Sequence, residues 1–300
     1  VSSSLEHADD GFVLMDVSAS RRDKLKTLVR SVRSAGELRS GLASSIFGKA
    51  RFMLSPCYGG LGKACLPPLN LRARQKNARA ITAELAESLD FIEFACDHLP
   101  PLSLSVMPNS SRPVVVFTDA EGKKRSGASP PSGHLGFVVY HPDFGKVHSY
   151  APVPASLVRL LDDCRRRDVY IGQFELIGAI TPFLSLPPEW FSGYPVELWI
   201  DNSGAMSSLI KDYSGKPDCA RIVNLFHFSV AKLGLSSLWT DFVNSESNPA
   251  DVPSRAHELG SRRGEMLAPY GRFVPMTVPA FAAPDGSWLS VVEIAKSVWG

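Results

Sequence analysis

The sequence predicts an α/β protein: a mixed five-stranded sheet flanked by helices, preceded by a mainly helical segment. Three observations carry this. The composition is that of a folded chain, 300 residues with 44% apolar and 21% charged side chains, which excludes disorder, a coiled coil and a collagen-like repeat. Helical spacing of apolar residues dominates the first hundred positions. After residue 113, short apolar runs alternate with helical stretches in the order βββαβααβ, with one more helix after residue 248.

Ser20 is placed to cap a helix over 21–34, where Leu25, Leu28, Val29 and Val32 form one stripe. A second helix near 36–54 aligns Leu38, Leu42 and Ile46. A longer one spans 77–99 and stops at Pro100 and Pro101. Residues 100–113 are rich in Pro and Ser and read as a linker. The chain then divides into a helical segment with linker (1–112), a sheet domain (113–256) and a C-terminal tail (257–300), weakly structured or made of short appended elements. Within the sheet domain, Val114 to Phe117 is a continuous apolar run, as in a central strand covered on both faces. A polar loop (121–133) follows, and strands over 134–141 and 146–151 complete a meander. Next come a helix near 170–184, a strand over 196–200, helices over 203–212 and 217–233, and a last strand over 237–243. Trp190, Trp199 and Trp239 are expected to pack in the core or on the sheet.

Five cysteines without a C-x-x-C pair point to reduced thiols in an intracellular protein. No apolar stretch approaches the ~20 residues of a membrane helix, so no membrane association is expected. The chain opens on Val1, which reads as a piece of something longer. Its first ten residues carry Glu6, Asp9 and Asp10 and no apolar run, unlike a secretory signal. The net charge of +2 hides an asymmetry. Residues 1–80 hold 14 Lys/Arg against 6 Asp/Glu, and the remainder 18 against 24. One part is suited to grip a polyanion while another concentrates carboxylates.

Four acids stand out by position. Asp119 follows the apolar strand 114–117, and Asp201 ends the strand 196–200. Glu175 sits inside the apolar helix 170–184, with Gly178 and Ala179 one turn on, and Asp251 opens the helix after the last strand. A carboxylate at the end of a buried strand is costly to desolvate without a cation. Two such strands side by side would call for a hard divalent ion, Mg2+ or Mn2+.

Together, Val115-Val116-Phe117-Thr118-Asp119-Ala120, Gln173-Phe174-Glu175-Leu176, Trp199-Ile200-Asp201-Asn202 and Asn248-Pro249-Ala250-Asp251-Val252-Pro253-Ser254-Arg255 resemble the ribonuclease H domain of retrotransposon polyproteins. Leu42 to Phe52 and the turn Gly59-Gly60-Leu61-Gly62-Lys63 look like the thumb-like segment that follows a polymerase palm. The resemblance implies a ribonuclease H-like fold and a two-metal endonuclease that cuts the RNA strand of RNA/DNA hybrids, leaving a 3′-hydroxyl and a 5′-phosphate. It implies that Asp119, Glu175, Asp201 and Asp251 are the catalytic residues and hold two Mg2+ or Mn2+ ions, Asp119 bridging both. Arg21, Arg22, Lys49, Arg51, Arg72 and Arg74 would contact phosphates, and Asn202 the substrate backbone or a helix N-terminus. The implied partners are an RNA/DNA hybrid and the upstream palm and fingers of the same polyprotein. The alternative is a catalytically inactive, nucleic-acid-binding ribonuclease H-like module of a decayed element.

Two features depart from the pattern. No His lies between His227 and Asp251, and no Tyr-x-Asp-Asp polymerase hairpin is present. The pairs Asp9-Asp10 and Asp162-Asp163 are expected to be surface acids. The turn at Gly59–Lys63 fails as a phosphate loop, because Cys57 and Ala64 replace required residues.

Overall fold

The computed structural model describes residues 2–4, 11–55, 60–105, 111–127 and 129–299. Asp9, Asp10, Cys57 and Gly59 lie outside the described residues.

The chain begins with strands β1 (Ser2–Ser4) and β2 (Phe12–Asp16). Helices α1 (Ala19–Ala35), α2 (Ser40–Leu54), α3 (Pro67–Arg74) and α4 (Ala83–His98) follow, and then β3 (Leu102–Ser105). Helix α1 starts after Ser18 rather than Ser20 and buries Leu25, Val29 and Val32, the expected stripe. Helix α3 was not anticipated. Pro67 and Pro68 stand in its first turn, where they lack only the N–H groups that need no partner there. The expected linker contains β3, which joins β2 in a small antiparallel sheet ordered β1-β2-β3.

The larger sheet is built from β4 (Val114–Lys123), β5 (Ser132–His141), β6 (Gly145–Pro152), β7 (Pro195–Ile200), β8 (Ser237–Phe242) and β9 (Arg272–Phe273). Its order is β8-β7-β4-β5-β6-β9. The meander β4-β5-β6 is antiparallel, while β7 runs parallel to β4 and β8 parallel to β7. Between β6 and β7 lie α5 (Ala155–Arg165) and α6 (Ile171–Ser185). Between β7 and β8 lie α7 (Ser203–Ile210) and α8 (Pro217–Leu233). Short helices α9 (Asp251–Ser254) and α10 (Arg263–Leu267) precede β9, and α11 (Val291–Trp299) closes the described chain. The expected mixed sheet flanked by helices, preceded by a helical region, is therefore present.

The structure corrects several details. A sixth strand, β9, pairs with β6. The loop 121–133 is shorter than expected, because Glu121, Gly122 and Lys123 continue β4 against His134, Gly133 and Ser132. Residues 257–299 hold short appended elements, α10, β9 and α11, rather than a weakly structured tail. Strand β4 is unevenly covered: Val114 and Val116 are buried, while Val115 and Phe117 are half-buried. Trp239 does not pack in the core. It lies on the edge strand β8 and is 63% exposed, a position where an aromatic ring gains little from burial.

The basic face of α1 is largely matched by α4. Lys26 pairs with Asp97, Arg30 with Glu93 at 2.6 Å, and Arg33 with Asp90 and Glu93. One continuous apolar core runs from Leu25 and Val29 on α1, through the sheet, to Ile294 and Val298 on α11. Among the described residues no helix is long and apolar enough to cross a membrane.

Candidate active site

Three of the four expected acids converge. One carboxylate oxygen from each of Asp119, Glu175 and Asp201 lies within 4.8 Å of the others. Parallel pairing of β4 with β7 sets Thr118 beside Ile200, so the next residues, Asp119 within β4 and Asp201 just past the end of β7, stand at one level. Helix α6 brings Glu175 in from the core side, and a Cβ on Gly178 would stand 3.5 Å from the Asp119 carbonyl. That is ordinary van der Waals contact, so the helix lies close against the strand at this point. Asp251 is outside this trio, yet close enough for its charge to act on Asp119. One of its oxygens is paired with Arg255 at 2.7 Å.

The surroundings fix each carboxylate. Ser254 Oγ donates to Asp119 Oδ2, and Ser245 Oγ donates to Asp201 Oδ2 at 2.8 Å. Asn248 ties the turn before α9 to β4, donating from Nδ2 to the Thr118 carbonyl at 3.0 Å and accepting from the Ala250 N–H at 3.1 Å. Gly136, the cross-strand partner of Asp119, makes room for this turn. A Cβ there would sit 2.3 Å from Ser254 N and 2.9 Å from the Ala250 carbonyl.

The electrostatics are those of a site built for a cation. Asp119 is 5% exposed and Glu175 3%. Burial, with the charges of Asp201 and Asp251, pushes the Asp119 carboxyl up to about 7 against the opposing pull of the Ser254 hydroxyl. Burial and the neighbouring Asp119 and Asp201 carboxylates push Glu175 well above the usual range. Glu175 Oε2 is buried without a hydrogen-bond partner. Clustered, desolvated carboxylates with an orphaned oxygen fit a hard divalent ion such as Mg2+ or Mn2+.

The expected substrate-binding residues are scattered in environment. Arg21, Lys49, Arg51 and Arg74 are exposed, and Arg21 lies 5.0 Å over the Phe52 ring. Arg21, Lys24, Lys49 and Phe52 line one shallow groove of about 300 Å3. Arg22 is half-buried and paired with Asp16. Arg72 is 4% exposed and spans the Leu38 and Ala80 carbonyls at 2.9 and 2.8 Å. It braces the helical region and is withdrawn as a phosphate contact. Asn202 caps α7, its Oδ1 accepting from Gly204 and Ala205 N–H groups at 3.1 and 3.0 Å. Asp162 is more than a surface acid, binding Arg125 and the Tyr170 hydroxyl. Ser245, Ser254 and Asn248 escaped the sequence reading as positioning residues, although the last two lie inside the Asn248–Arg255 motif.

No protein-family model and no curated protein matches the chain. Solved structures do. A ribonuclease H1 from the halophilic archaeon Halobacterium salinarum is 15% identical with a TM-score of 0.35, over 48% of this chain and 96% of that one. The N-terminal RNase H domain of a Mycobacterium tuberculosis protein, solved as a fusion with maltose-binding protein, is 13% identical with a TM-score of 0.28, over 51% and 97%. A foamy viral protease-reverse transcriptase in complex with double-stranded DNA is 17% identical with a TM-score of 0.26, over 77% of this chain and 37% of that one. Likenesses this remote carry no argument.

Proposed function

We propose that the chain is a metal-dependent endonuclease that cleaves the RNA strand of RNA/DNA hybrids as part of a retroelement reverse transcriptase. The observation that carries this is the convergence of Asp119, Glu175 and Asp201 in one desolvated pocket that leaves Glu175 Oε2 unpartnered. Asp119, Glu175, Asp201 and Asp251 would hold two Mg2+ or Mn2+ ions, which when bound lower the pKa of an attacking water and offset charge on the scissile phosphate. Ser254 and Ser245 orient Asp119 and Asp201, while Asn248 fixes the turn that delivers Asp251. Arg21, Lys49, Arg51 and Arg74 supply salt-sensitive phosphate contacts. Selection of the RNA strand comes from its 2′-hydroxyls in the wide minor groove of the hybrid. The polymerase palm and fingers are supplied by the same polyprotein.

Cleavage of a labelled hybrid in Mg2+, with single-stranded and duplex controls, tests the proposal. The parent is expected to cut the RNA strand of the hybrid. Asp119→Asn is expected to lose roughly 1,000-fold or more, since the lost stabilisation is several kcal/mol. Equal rates in the two proteins would remove the assignment, and binding without cleavage by the parent would leave the inactive module.

A further inference from the structure

A second cluster of metal-ligating side chains lies two residues beyond Asp119 on β4, on the same face of that strand. Glu121 on β4 and His134 on β5 are direct cross-strand partners. His257, in the turn after α9, stacks on His134 with ring centroids 3.6 Å apart and planes 8° from parallel. Glu121 Oε2 stands 3.3 Å from His257 Nε2 and 3.9 Å from His134 Nδ1. One ligand atom from each of the three residues lies within 4.8 Å of the others.

Each residue leaves a buried polar atom without a hydrogen bond: Glu121 Oε2, His134 Nδ1 and His257 Nδ1. Orphaned polar atoms are costly, and three in one cluster call for a ligand. The cluster already draws a cation. Lys123 Nζ lies 3.0 Å from His257 Nε2 and 3.7 Å from Glu121 Oε1. It also pairs with Glu258 at 3.2 Å, and its side chain is half exposed. An ammonium on a flexible stem can swing towards solvent and Glu258, leaving its place to a metal.

We propose that Glu121, His134 and His257 bind one transition-metal ion of the Zn2+ class. Two imidazoles and a carboxylate suit such borderline ions, whereas Mg2+ prefers an all-oxygen shell. The ion joins β4, β5 and the turn after α9. It thereby clamps the segment that carries Asp251 and Ser254 onto the strand that carries Asp119. The binding site stands independently of the nuclease proposal, because its readout is metal uptake.

Titration of the chelator-treated full chain with Co2+, in excess Mg2+ to fill the carboxylate site, tests this. One equivalent of Co2+ with visible ligand-field absorption is expected, displaced by Zn2+. His134→Ala and His257→Ala should each weaken uptake by at least about tenfold, since even the loss of an outer-shell partner costs that much. Asp119→Asn should keep the absorption. Lys123→Ala removes the competing ammonium and should tighten binding, a gain that misfolding cannot mimic. No uptake by the parent, equal uptake by both His variants, absorption lost with Asp119→Asn, or no tightening in Lys123→Ala would each overturn the proposal.

Discussion

Asp119 carries the sharpest local conflict in the chain. Its ordinary pKa is 3.8 and burial raises it to about 7. Between those values the folded protein holds a proton that the unfolded chain releases, so stability falls as pH rises through this window. Glu175, shifted the same way, adds to the slope. The metal-free protein is therefore expected to lose on the order of a few kcal/mol between about pH 4 and pH 7. Thermal unfolding in chelator should show that loss, and Asp119→Asn should flatten it. A steeper slope in the variant would refute this account. Gly136→Ala tests the packing behind the site. The added methyl meets the backbone of Ser254, which cannot rotate away, so α9 must shift at a cost of ~1–3 kcal/mol in urea unfolding. Asp119, Glu175 and Asp201 were legible because each interrupts an apolar pattern at a strand end or inside a helix, whereas Asp251 stood out only as the residue that opens a helix after the last strand. Glu121, His134 and His257 were not legible. Glu121 lay in an apparent loop and His257 in an apparent tail, and only the hairpin register of β4 with β5 brings Glu121 to His134.

Charge in the helical region has to be read by element rather than by count. The surplus on α1 suggested a phosphate-gripping face, but Lys26, Arg30 and Arg33 are engaged by α4, and no linear count reveals which acids lie opposite. The exposed cations that remain beside Phe52 are Arg21, Lys24 and Lys49. If these meet phosphates, Arg21→Ala and Lys49→Ala should each lower the salt dependence of hybrid binding by about one charge. Arg30→Ala should leave that slope unchanged and cost about 1 kcal/mol or less in stability, as exposed ion pairs do. Equal slopes for all three variants would place the hybrid elsewhere. The same limit hid helices α3 and α5. The first spans only Pro67–Arg74 and buries just Leu69 and Arg72, too little apolar face to show as a stripe. The stripe of Leu157, Val158, Leu160 and Leu161 that builds the second is only one helix-turn wide, too short to stand out beside the continuous apolar face of α6.

At the scale of the molecule, the sequence division at residues 100–113 marks a change of architecture but not a break in the core. Helix α4 and α8 meet through Phe91 and Phe228, whose rings lie 5.9 Å apart. Arg221 on α8 binds Glu87 on α4 at 2.6 Å, and Lys63 binds Asp212 at 2.9 Å. Asn224 Nδ2 reaches Cys65 Sγ at 3.3 Å. Helix α11 packs against both α4 and α8 and buries Val291, Ile294, Ala295 and Val298. Lys232 holds its end through the Val298 carbonyl at 2.5 Å. None of this was visible in sequence, because a nine-residue amphipathic helix after a stretch rich in Pro and Gly declares its face but not the surface that receives it. The consequence is cooperative unfolding across both regions. All five tryptophans fall at or beyond residue 190, so their fluorescence reports the sheet domain and α11, while far-UV circular dichroism also weighs the helices of residues 19–98. The two signals should change together in denaturant. Ile294→Ala should shift both midpoints equally, with a cost of ~2–4 kcal/mol for the methyl groups removed from the buried seam. Two separated transitions, with only one moved by the substitution, would mean that the helical region and the sheet domain fold as independent units joined at a shared surface.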